Sequence, residues 1–145
     1  MKRLIMLGLA ALLLAGCGET ASHSSGHSPA PAAVTTVTLN AADFSFSPAT
    51  IDVVAGQPVK VVVQNTGVQV HDFTIRAIPL GGAAHGSGAS DEHAHTAGAS
   101  AVHVAAAVGA TSTIEFTPSQ SGTYEFECSV AGHKDAGMVG TLTVK

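Results

Sequence analysis

The chain is divided into many short runs of β-branched and aromatic residues, and this pattern constrains its fold more than any other feature of the sequence. Such residues suit the pleated, half-buried surface of a strand, and clusters of Gly, Pro, Asn, Asp and Ser between the runs predict turns. No stretch shows a convincing amphipathic helical period. The predicted strands are 34–39, 51–54, 59–64, 70–78, 102–108, 111–116, 123–128 and 140–144. The sequence therefore predicts an all-β protein folded as an antiparallel sandwich.

The predicted strands belong to one domain, residues 34–145, which is long enough to bury a single core. The sequence contains no Trp, so the remaining aromatic side chains are expected to dominate that core. They are Phe44, Phe46, Phe73, Phe116, Tyr124 and Phe126.

Two of the predicted strands enclose a short loop that carries three side chains able to bind a metal. Cys128 ends one strand, His133 comes five residues later, and Met138 follows five residues after that, just before the last strand. Glycines within and after this loop allow the backbone to turn tightly. A thiolate, an imidazole and a thioether form a soft ligand set that matches copper. The spacing therefore predicts a metal loop held between two strands.

The strand before this loop shows which of its side chains face the core. Residues two apart in a strand share a face, so Tyr124, Phe126 and Cys128 are predicted to point inward together. Glu125 and Glu127 are predicted to face water on the opposite side. The thiol should therefore enter the metal site from the core, at the end of a rigid element.

A trigonal site of two His and one Cys with a weak axial Met requires a second imidazole. The candidate is His71, which follows a Val-rich run and an Asn-Thr-Gly turn signal. It opens an alternating segment in which it shares a face with Phe73 and Ile75. His71 can therefore also point into the core.

Each of these residues has an ordinary interpretation when it is taken alone. His71 could be a satisfied core or surface residue, Met138 could be core packing, and Cys128 could be an inert buried thiol. Cys128 and His133 could also form the nucleophile and base of a hydrolase, but no substrate-binding or oxyanion group is recognisable in the sequence. A structural zinc site seldom uses Met, and copper(II) outcompetes zinc at equal availability. The four residues together favour copper.

The ordered quartet His71, Cys128, His133 and Met138 within a β pattern resembles the cupredoxins, the small plastocyanin-like blue-copper electron carriers. Four residues separate Cys from His and His from Met, a spacing similar to that of rusticyanin and the sulfocyanin-like proteins, whereas plastocyanins have a shorter gap. The resemblance covers about residues 34–145. It implies a Greek-key β-sandwich and one type 1 copper ion, bound by the quartet, that cycles between Cu(I) and Cu(II). It also implies that His133, among small apolar neighbours, is the port through which electrons pass.

One position departs from the commoner pattern of this family. Many cupredoxins have Asn after the first His ligand, and its side chain ties the two ligand segments together, whereas this chain has Asp72. An Asp accepts the same backbone hydrogen bonds but cannot donate, and its negative charge favours Cu(II). The reduction potential is therefore expected to depend on Asp72.

The first residues are typical of an export signal. Lys2 and Arg3 precede an apolar segment, residues 4–14, that is too short to span a bilayer as a stable helix. The sequence Leu-Ala-Gly-Cys that ends at Cys17 resembles the bacterial lipobox, which implies a signal peptide at 1–16 and a diacylglyceryl group on Cys17. The alternative is an ordinary signal peptide cut nearby, with Cys17 incidental. Residues 17–33 contain no large apolar side chain and are predicted to form a flexible tether.

The cysteine count supports a metal-binding role for Cys128. The chain has two Cys, and a lipidated Cys17 would leave Cys128 without a disulfide partner in an oxidising compartment. Metal ligation gives such a lone exported thiol a function.

Residues 79–101 interrupt the strand pattern with a long loop rich in Gly, Ala and His. His85, Asp91, His93 and His95 could form a weak secondary site for Cu(II) or Zn(II). The favoured interpretation is a disordered, solvated insertion, because such a Gly-rich backbone has no fixed ligand geometry.

The charge of the exported chain limits its partners. Without Lys2 and Arg3, four basic residues remain against 10 acidic ones, a formal charge of −6. Nucleic acid is therefore an unsuitable partner, whereas a basic redox protein is compatible.

These features together predict a monomeric electron carrier rather than an enzyme, anchored by lipid to a bacterial membrane and facing the periplasm or the cell exterior. Its expected partners are redox proteins such as cytochromes or copper oxidases and reductases, in transient contact. The alternatives are a copper-binding protein for delivery, storage or sensing, and an accessory donor domain of a larger copper enzyme.

Overall fold

A computed structural model describes residues 33–87 and 101–145, and the regular secondary structure in these two ranges consists of β-strands. The strands are Thr35–Ala42 (β1), Ser45–Ser47 (β2), Thr50–Val53 (β3), Val59–Asn65 (β4), His71–Ile75 (β5), His85–Ser87 (β6), Val102–Ala106 (β7), Thr111–Phe116 (β8), Gly122–Glu127 (β9) and Val139–Val144 (β10). In these ranges there is no helix of the length and hydropathy that a bilayer crossing needs. The predicted signal peptide, Cys17 and nearly all of the tether lie outside the described residues.

The strands form two five-stranded sheets that pack on each other as a sandwich. The first sheet has the order β2-β1-β4-β8-β6, and the second has the order β3-β10-β9-β5-β7. The prediction of an all-β sandwich is confirmed. The second sheet contains β5, β9 and β10, the strands from which the predicted metal ligands extend.

Two of the strand pairs are parallel, a detail that the predicted antiparallel sandwich did not include. β1 pairs with β4 in parallel, and β3 pairs with β10 in parallel, whereas the other pairs are antiparallel. The chain leaves the first sheet to form β3 and returns to it as β4, so β4 runs in the same direction as β1. Strand direction depends on this crossing between sheets, which local sequence patterns do not specify.

The core lies between the sheets and follows the period of two that strands impose. In β4, Val59, Val61 and Val63 are fully buried, while Lys60 and Val62 are half-buried. The aromatic centre of the core is formed by Phe126, whose ring centroid lies 5.1 Å from that of Phe73 and 5.3 Å from that of Phe46. These contacts pack the second sheet directly below the predicted metal site.

Two aromatic residues that were predicted to dominate the core are less buried than expected. Phe44 occupies the turn between β1 and β2 and is 42% exposed. Tyr124 is half-buried, and its hydroxyl donates a hydrogen bond to the carbonyl of Gln120 at 3.1 Å. Phe46, Phe73, Phe116 and Phe126 are buried as expected.

The first part of the predicted loop, residues 79–87, contains a strand and further backbone pairing that the sequence analysis did not predict. His85–Ser87 form β6, which pairs with β8 at the edge of the first sheet. Leu80 forms a bridge with Pro118, and the amide of Gly81 donates to the carbonyl of Thr117 at 2.9 Å. These backbone bonds were not predictable from composition, because the Gly-rich segment carries no strand pattern of its own. Residues 88–100 lie outside the described part of the chain.

Candidate metal centre

The two ends of the Cys128–Met138 loop are held together by the pairing of β9 with β10. Val139 is directly opposite Glu127 in this antiparallel ladder. Cys128 and Met138 are therefore neighbours, and the amide of Cys128 donates to the carbonyl of Met138 at 3.1 Å. Both side chains are fully buried. The predicted loop between two strands is present, and both sulfur atoms belong to the core side of the second sheet.

The loop itself is a compact series of turns. Gly132 and Gly137 have positive φ angles of 82° and 101°, which glycine adopts without steric cost. The amide of His133 donates to the carbonyl of Val130 at 3.0 Å, and the amide of Met138 donates to the carbonyl of His133 at 3.0 Å. These turns place the His133 side chain in the protein interior, where it is 3% exposed.

The side chains of His71, Cys128 and His133 converge, with three potential donor atoms facing one another. His71 Nδ1 lies 3.2 Å from His133 Nδ1, and Cys128 Sγ lies 3.4 Å from His133 Nδ1 and 3.9 Å from His71 Nδ1. All three residues are buried, and in the described part of the chain they are the group of His, Cys and acidic residues arranged to hold a metal. The structure thus brings together residues that lie 57 and 62 positions apart in the sequence.

The donor set fits a copper ion in both chemistry and size. A point equidistant from the three donor atoms lies about 2 Å from each, close to typical metal–nitrogen distances and slightly short of metal–sulfur distances. Two imidazoles and a thiolate, with a buried thioether beside them, are the ligand types of a blue-copper site. A small rearrangement of the thiol would accommodate the ion.

The environment of the Cys128 thiol favours its neutral form in the metal-free protein. Burial raises the pKa of Cys128 above its ordinary value, despite backbone amides of Asp72 and Val130 that favour the thiolate. The amide of Asp72 donates toward Sγ at 3.5 Å. A bound metal would replace the thiol proton and compensate for the burial of the negative charge.

Asp72 connects the segment that follows His71 with the segment that follows Cys128. Its Oδ1 accepts hydrogen bonds from the amide of Ser129 at 2.8 Å and from the hydroxyl of Thr74 at 2.7 Å, and its Oδ2 accepts one from the hydroxyl of Ser129 at 2.8 Å. The predicted ability of Asp72 to accept backbone hydrogen bonds is therefore realised. Asp72 directly follows His71, and Ser129 directly follows Cys128, so these hydrogen bonds join the backbone beside both residues.

Glu127 is buried, which corrects the prediction that it faces water. It is 2% exposed, and its carboxylate is paired with Arg76, at 2.5 Å from Oε1, and with Lys134. Burial alone would raise the pKa of Glu127, but the hydrogen bonds and charges of Lys134 and Arg76 lower it below its ordinary value of 4.5. Alternation assigned Glu127 to the outer face of the sheet, but the side chains of Arg76 and Lys134 cover it there and exclude water. Lys134 also pairs with Glu125, so it connects the metal loop to β9.

The turn between β1 and β2 contacts both imidazoles, which the sequence analysis did not anticipate. Asp43 Oδ1 lies 3.2 Å from His71 Nε2, and the Phe44 and His133 rings form a T-shaped contact with a centroid distance of 5.2 Å and an interplanar angle of 82°. Phe44 has a φ of 63°, a left-handed conformation that costs a non-glycine residue about 1–2 kcal/mol. Asp43 is part of a turn signal in the sequence, and no spacing rule relates it to His71.

Exposed apolar side chains surround this end of the sandwich. Phe44, which contacts His133, is 42% exposed. Val68 and Val70, which precede His71 in the chain, are 78% and 49% exposed. Val108, in the neighbouring turn after β7, is 55% exposed. Phe44, which contacts His133, is therefore one of several exposed apolar side chains in the segments near the proposed site.

The predicted secondary metal site is described only in part. His85 lies on the exposed edge strand β6, opposite Glu115 of β8. Asp91, His93 and His95 lie outside the described residues. The structure does not bring His85 together with the His71, Cys128 and His133 cluster.

Comparison with known proteins identifies related sequences and folds. The sequence model of the cupredoxin-like domain matches residues 4–144. The copper-resistant cuproprotein CopI of Rubrivivax gelatinosus is 32% identical over 101 residues, which span 69% of this chain and 59% of that protein. The protein of the same name from Pseudomonas aeruginosa is 27% identical over an alignment that covers 98% of this chain and 94% of that protein. This chain therefore matches less than two thirds of the length of the Rubrivivax relative.

Solved structures of auracyanins share the fold. Dithionite-reduced auracyanin from Roseiflexus castenholzii superposes with a TM-score of 0.59 at 26% identity, over 79% of this chain and 98% of that chain. Auracyanin A, described as a "blue" copper protein from Chloroflexus aurantiacus, superposes with a TM-score of 0.59 at 21% identity, over 78% of this chain and all of the other. The second likeness concerns the fold alone.

Proposed function

This chain belongs to the cupredoxin family, and from that premise we propose that it binds one copper ion at His71, Cys128, His133 and Met138 and carries single electrons. The observation that carries the proposal is the convergence of two imidazole Nδ1 atoms and one thiol in a buried triangle with sides of 3.2–3.9 Å. The copper-protein relatives support the choice of metal.

Copper would supply a one-electron couple between Cu(I) and Cu(II), and the protein would hold its ligands in one arrangement for both states. His71 is fixed at the start of β5, while Cys128 and Met138 are fixed at the ends of β9 and β10. Asp72 connects the first two segments through Ser129. Because these contacts exist without the metal, little rearrangement would accompany electron transfer, which lowers its barrier. The apolar core around the ligands excludes water.

Electrons would enter and leave near His133, whose imidazole contacts the partly exposed ring of Phe44. The apolar surface formed by Phe44, Val68, Val70 and Val108 suits the small, transient contacts of electron-transfer partners. We propose cytochromes or copper oxidases and reductases as those partners. In this function the protein passes electrons and is not itself an enzyme.

The optical and EPR spectra of the copper-loaded full chain test the proposal. We expect one copper per chain and an intense blue band that requires the Cys128 thiolate. Cys128→Ser should abolish the band, whereas Cys17→Ser, which removes the other cysteine, should leave it unchanged. A colourless wild-type protein loaded with Cu(II) would show that the blue-copper assignment is wrong.

Copper delivery, storage or sensing is the second candidate, and the copper-resistance names of the two relatives favour it. The two functions differ in what residues 88–100 should do, because those residues include Asp91, His93 and His95. Replacing 88–100 with a short Gly-Ser link keeps β6 intact. A carrier should retain its copper stoichiometry, spectrum and electron self-exchange rate. Loss of copper uptake, or slower transfer of copper to an acceptor, would favour metal handling.

We also propose that the mature chain begins at a lipidated Cys17 and is attached to a bacterial membrane, facing the periplasm or the cell exterior. The lipobox-like sequence before Cys17 supports this proposal. Cys17→Ser should prevent lipid attachment and release the protein from the membrane fraction. Mass spectrometry that finds an unmodified N-terminus elsewhere would contradict it.

A further inference from the structure

We propose that Asp43 is a positioning residue of the metal centre, which holds the proton of His71 on Nε2 and directs the Nδ1 lone pair at the copper. The consequence for copper rests on the proposed function, but the hydrogen bond between Asp43 and His71 can be tested in metal-free protein.

The contact is specific in its geometry. Asp43 Oδ1 lies 3.2 Å from Nε2 of His71, whose side chain is fully buried, and the Asp43 side chain is 35% exposed. The amide of Val68 donates to the same oxygen at 3.1 Å. A neutral imidazole has one N–H and one lone pair, so a proton on Nε2 that faces the carboxylate leaves the lone pair on Nδ1. That atom is the one that faces His133 and Cys128.

Gly67 provides the space for this contact. A Cβ atom at Gly67 would overlap Asp43 Oδ1 and would lie 2.7 Å from His71 Nε2. Glycine is therefore required here by the close approach of the carboxylate to the imidazole. The amide of Gly67 is held by Asn65 Oδ1 at 3.0 Å, which keeps the segment in place beside the two side chains.

The turn that carries Asp43 is held in an unfavourable backbone conformation. Phe44 has a φ of 63°, and its ring forms a T-shaped contact with the ring of His133. Two adjacent residues of one turn therefore contact the two imidazoles of the site. Backbone strain of this kind persists only where surrounding contacts impose it, and the Asp43 bonds to Val68 and His71 are contacts of that kind.

A carboxylate that accepts the second N–H of a metal-binding imidazole orients the ring and makes it a stronger ligand. Loss of such a partner typically lowers metal affinity about 10- to 100-fold. The negative charge of Asp43 should also favour Cu(II) over Cu(I), as expected for a charge close to the metal. Removing it should therefore weaken Cu(II) binding and raise the reduction potential.

NMR of the metal-free full chain tests the hydrogen bond directly. Spectra are recorded near pH 8.5, about two units above the ordinary imidazole pKa of about 6.5. We expect a downfield His71 Nε2–H resonance that exchanges slowly with water. In Asp43→Ala this resonance should move upfield and exchange at least tenfold faster. Asp43→Asn, whose amide oxygen can still accept the bond, should fall between the two. A wild-type His71 that carries its proton on Nδ1, or a resonance that is unchanged in Asp43→Ala, would overturn the proposal.

Copper binding tests the consequence. Asp43→Ala should raise the Cu(II) dissociation constant about 10- to 100-fold and raise the reduction potential. Asp43→Asn should recover most of the affinity but keep the raised potential, because the hydrogen bond returns without the charge. Asp52→Ala is the matched control: it removes an exposed carboxylate that pairs with Lys145, and both quantities should stay at wild-type values.

The two proposals can fail separately. Equal affinity and potential in wild type and Asp43→Ala would overturn the positioning role even if the protein is blue. A wild-type protein without a blue band would overturn the proposed function, and the NMR result in metal-free protein would still decide whether Asp43 sets the proton of His71.

Discussion

Replacing Asp72 with alanine tests whether the connection between the two ligand segments stabilises the protein as its contacts suggest. The substitution removes three hydrogen bonds, two from Ser129 and one from Thr74. Ser129 is exposed, so water can replace its two bonds, and each contributes about 0.5–1 kcal/mol. Thr74 is 1% exposed, and a buried hydrogen bond to a charged group contributes about 1.5–3 kcal/mol. We therefore expect the free energy of unfolding to fall by roughly 2.5–5 kcal/mol.

Urea unfolding of the metal-free full chain, followed by circular dichroism, measures this change. For a domain of this size, a loss of that magnitude should lower the midpoint by about 1–2.5 M urea with little change in slope. Asp72→Asn should lose less stability, because its amide oxygen still accepts from Thr74 and from the Ser129 amide. In copper-loaded protein, Asp72→Asn should raise the reduction potential, since it removes a negative charge beside the metal.

Asp52→Ala is again the control, because its exposed ion pair with Lys145 should contribute less than about 0.5 kcal/mol. If Asp72→Ala unfolds within about 0.5 kcal/mol of the wild type, the three hydrogen bonds do not hold the ligand segments together. Asp72 would then not be one of the residues that preform the site.

Three further predictions concern the buried carboxylate Glu127, the packing of Gly140 and the proposed ligand Met138. The lowered pKa of Glu127 contributes stability above its unfolded value of 4.5, and this stability is lost as pH falls through the lower folded value; Glu127→Gln should therefore flatten the acid side of a thermal-stability profile, and an unchanged profile would contradict the pairing with Arg76 and Lys134. Gly140→Ala should destabilise by about 1–3 kcal/mol in urea unfolding, because its Cβ would overlap the ring of Phe126 and lie 2.7 Å from the Ala49 carbonyl oxygen; wild-type stability would mean that the sheet accommodates the methyl group. Met138→Leu should raise the reduction potential measured by voltammetry, because it removes a weak donor that favours Cu(II), and a lowered potential would exclude Met138 as a ligand.

The all-β class and the metal loop could be predicted from the sequence because both depend on local regularities. Strand alternation placed Phe126 and Cys128 on the core side, and the spacing of Cys128, His133 and Met138 between two strands indicated a loop that returns to its starting point. His71 was identified by the chemistry that the other three required. Each inference used residues that are close in sequence or a ligand set that copper chemistry restricts.

Exposure and pairing at several positions could be decided only by the tertiary structure. Alternation assigned Glu127 to the outer face, but Arg76 and Lys134 cover it there. Composition assigned Phe44 to the core, but a turn holds it at the surface against His133. The parallel pairing of β1 with β4 depends on how the chain crosses between sheets. In each case the outcome depends on what other segments place beside a residue, which its neighbours in sequence do not specify.

The site shows the same division between sequence and tertiary structure. The four proposed ligands could be identified from the sequence, because a thiol, two imidazoles and a thioether are chemically recognisable wherever they occur. The partner of His71 is not, because Asp43 is an ordinary turn residue until β1 and β5 are brought together. The contact between Asp43 and His71, 28 positions apart, decides which nitrogen of His71 lies beside the carboxylate and which faces Cys128 and His133. Only the packing of the two sheets places those residues within hydrogen-bonding distance.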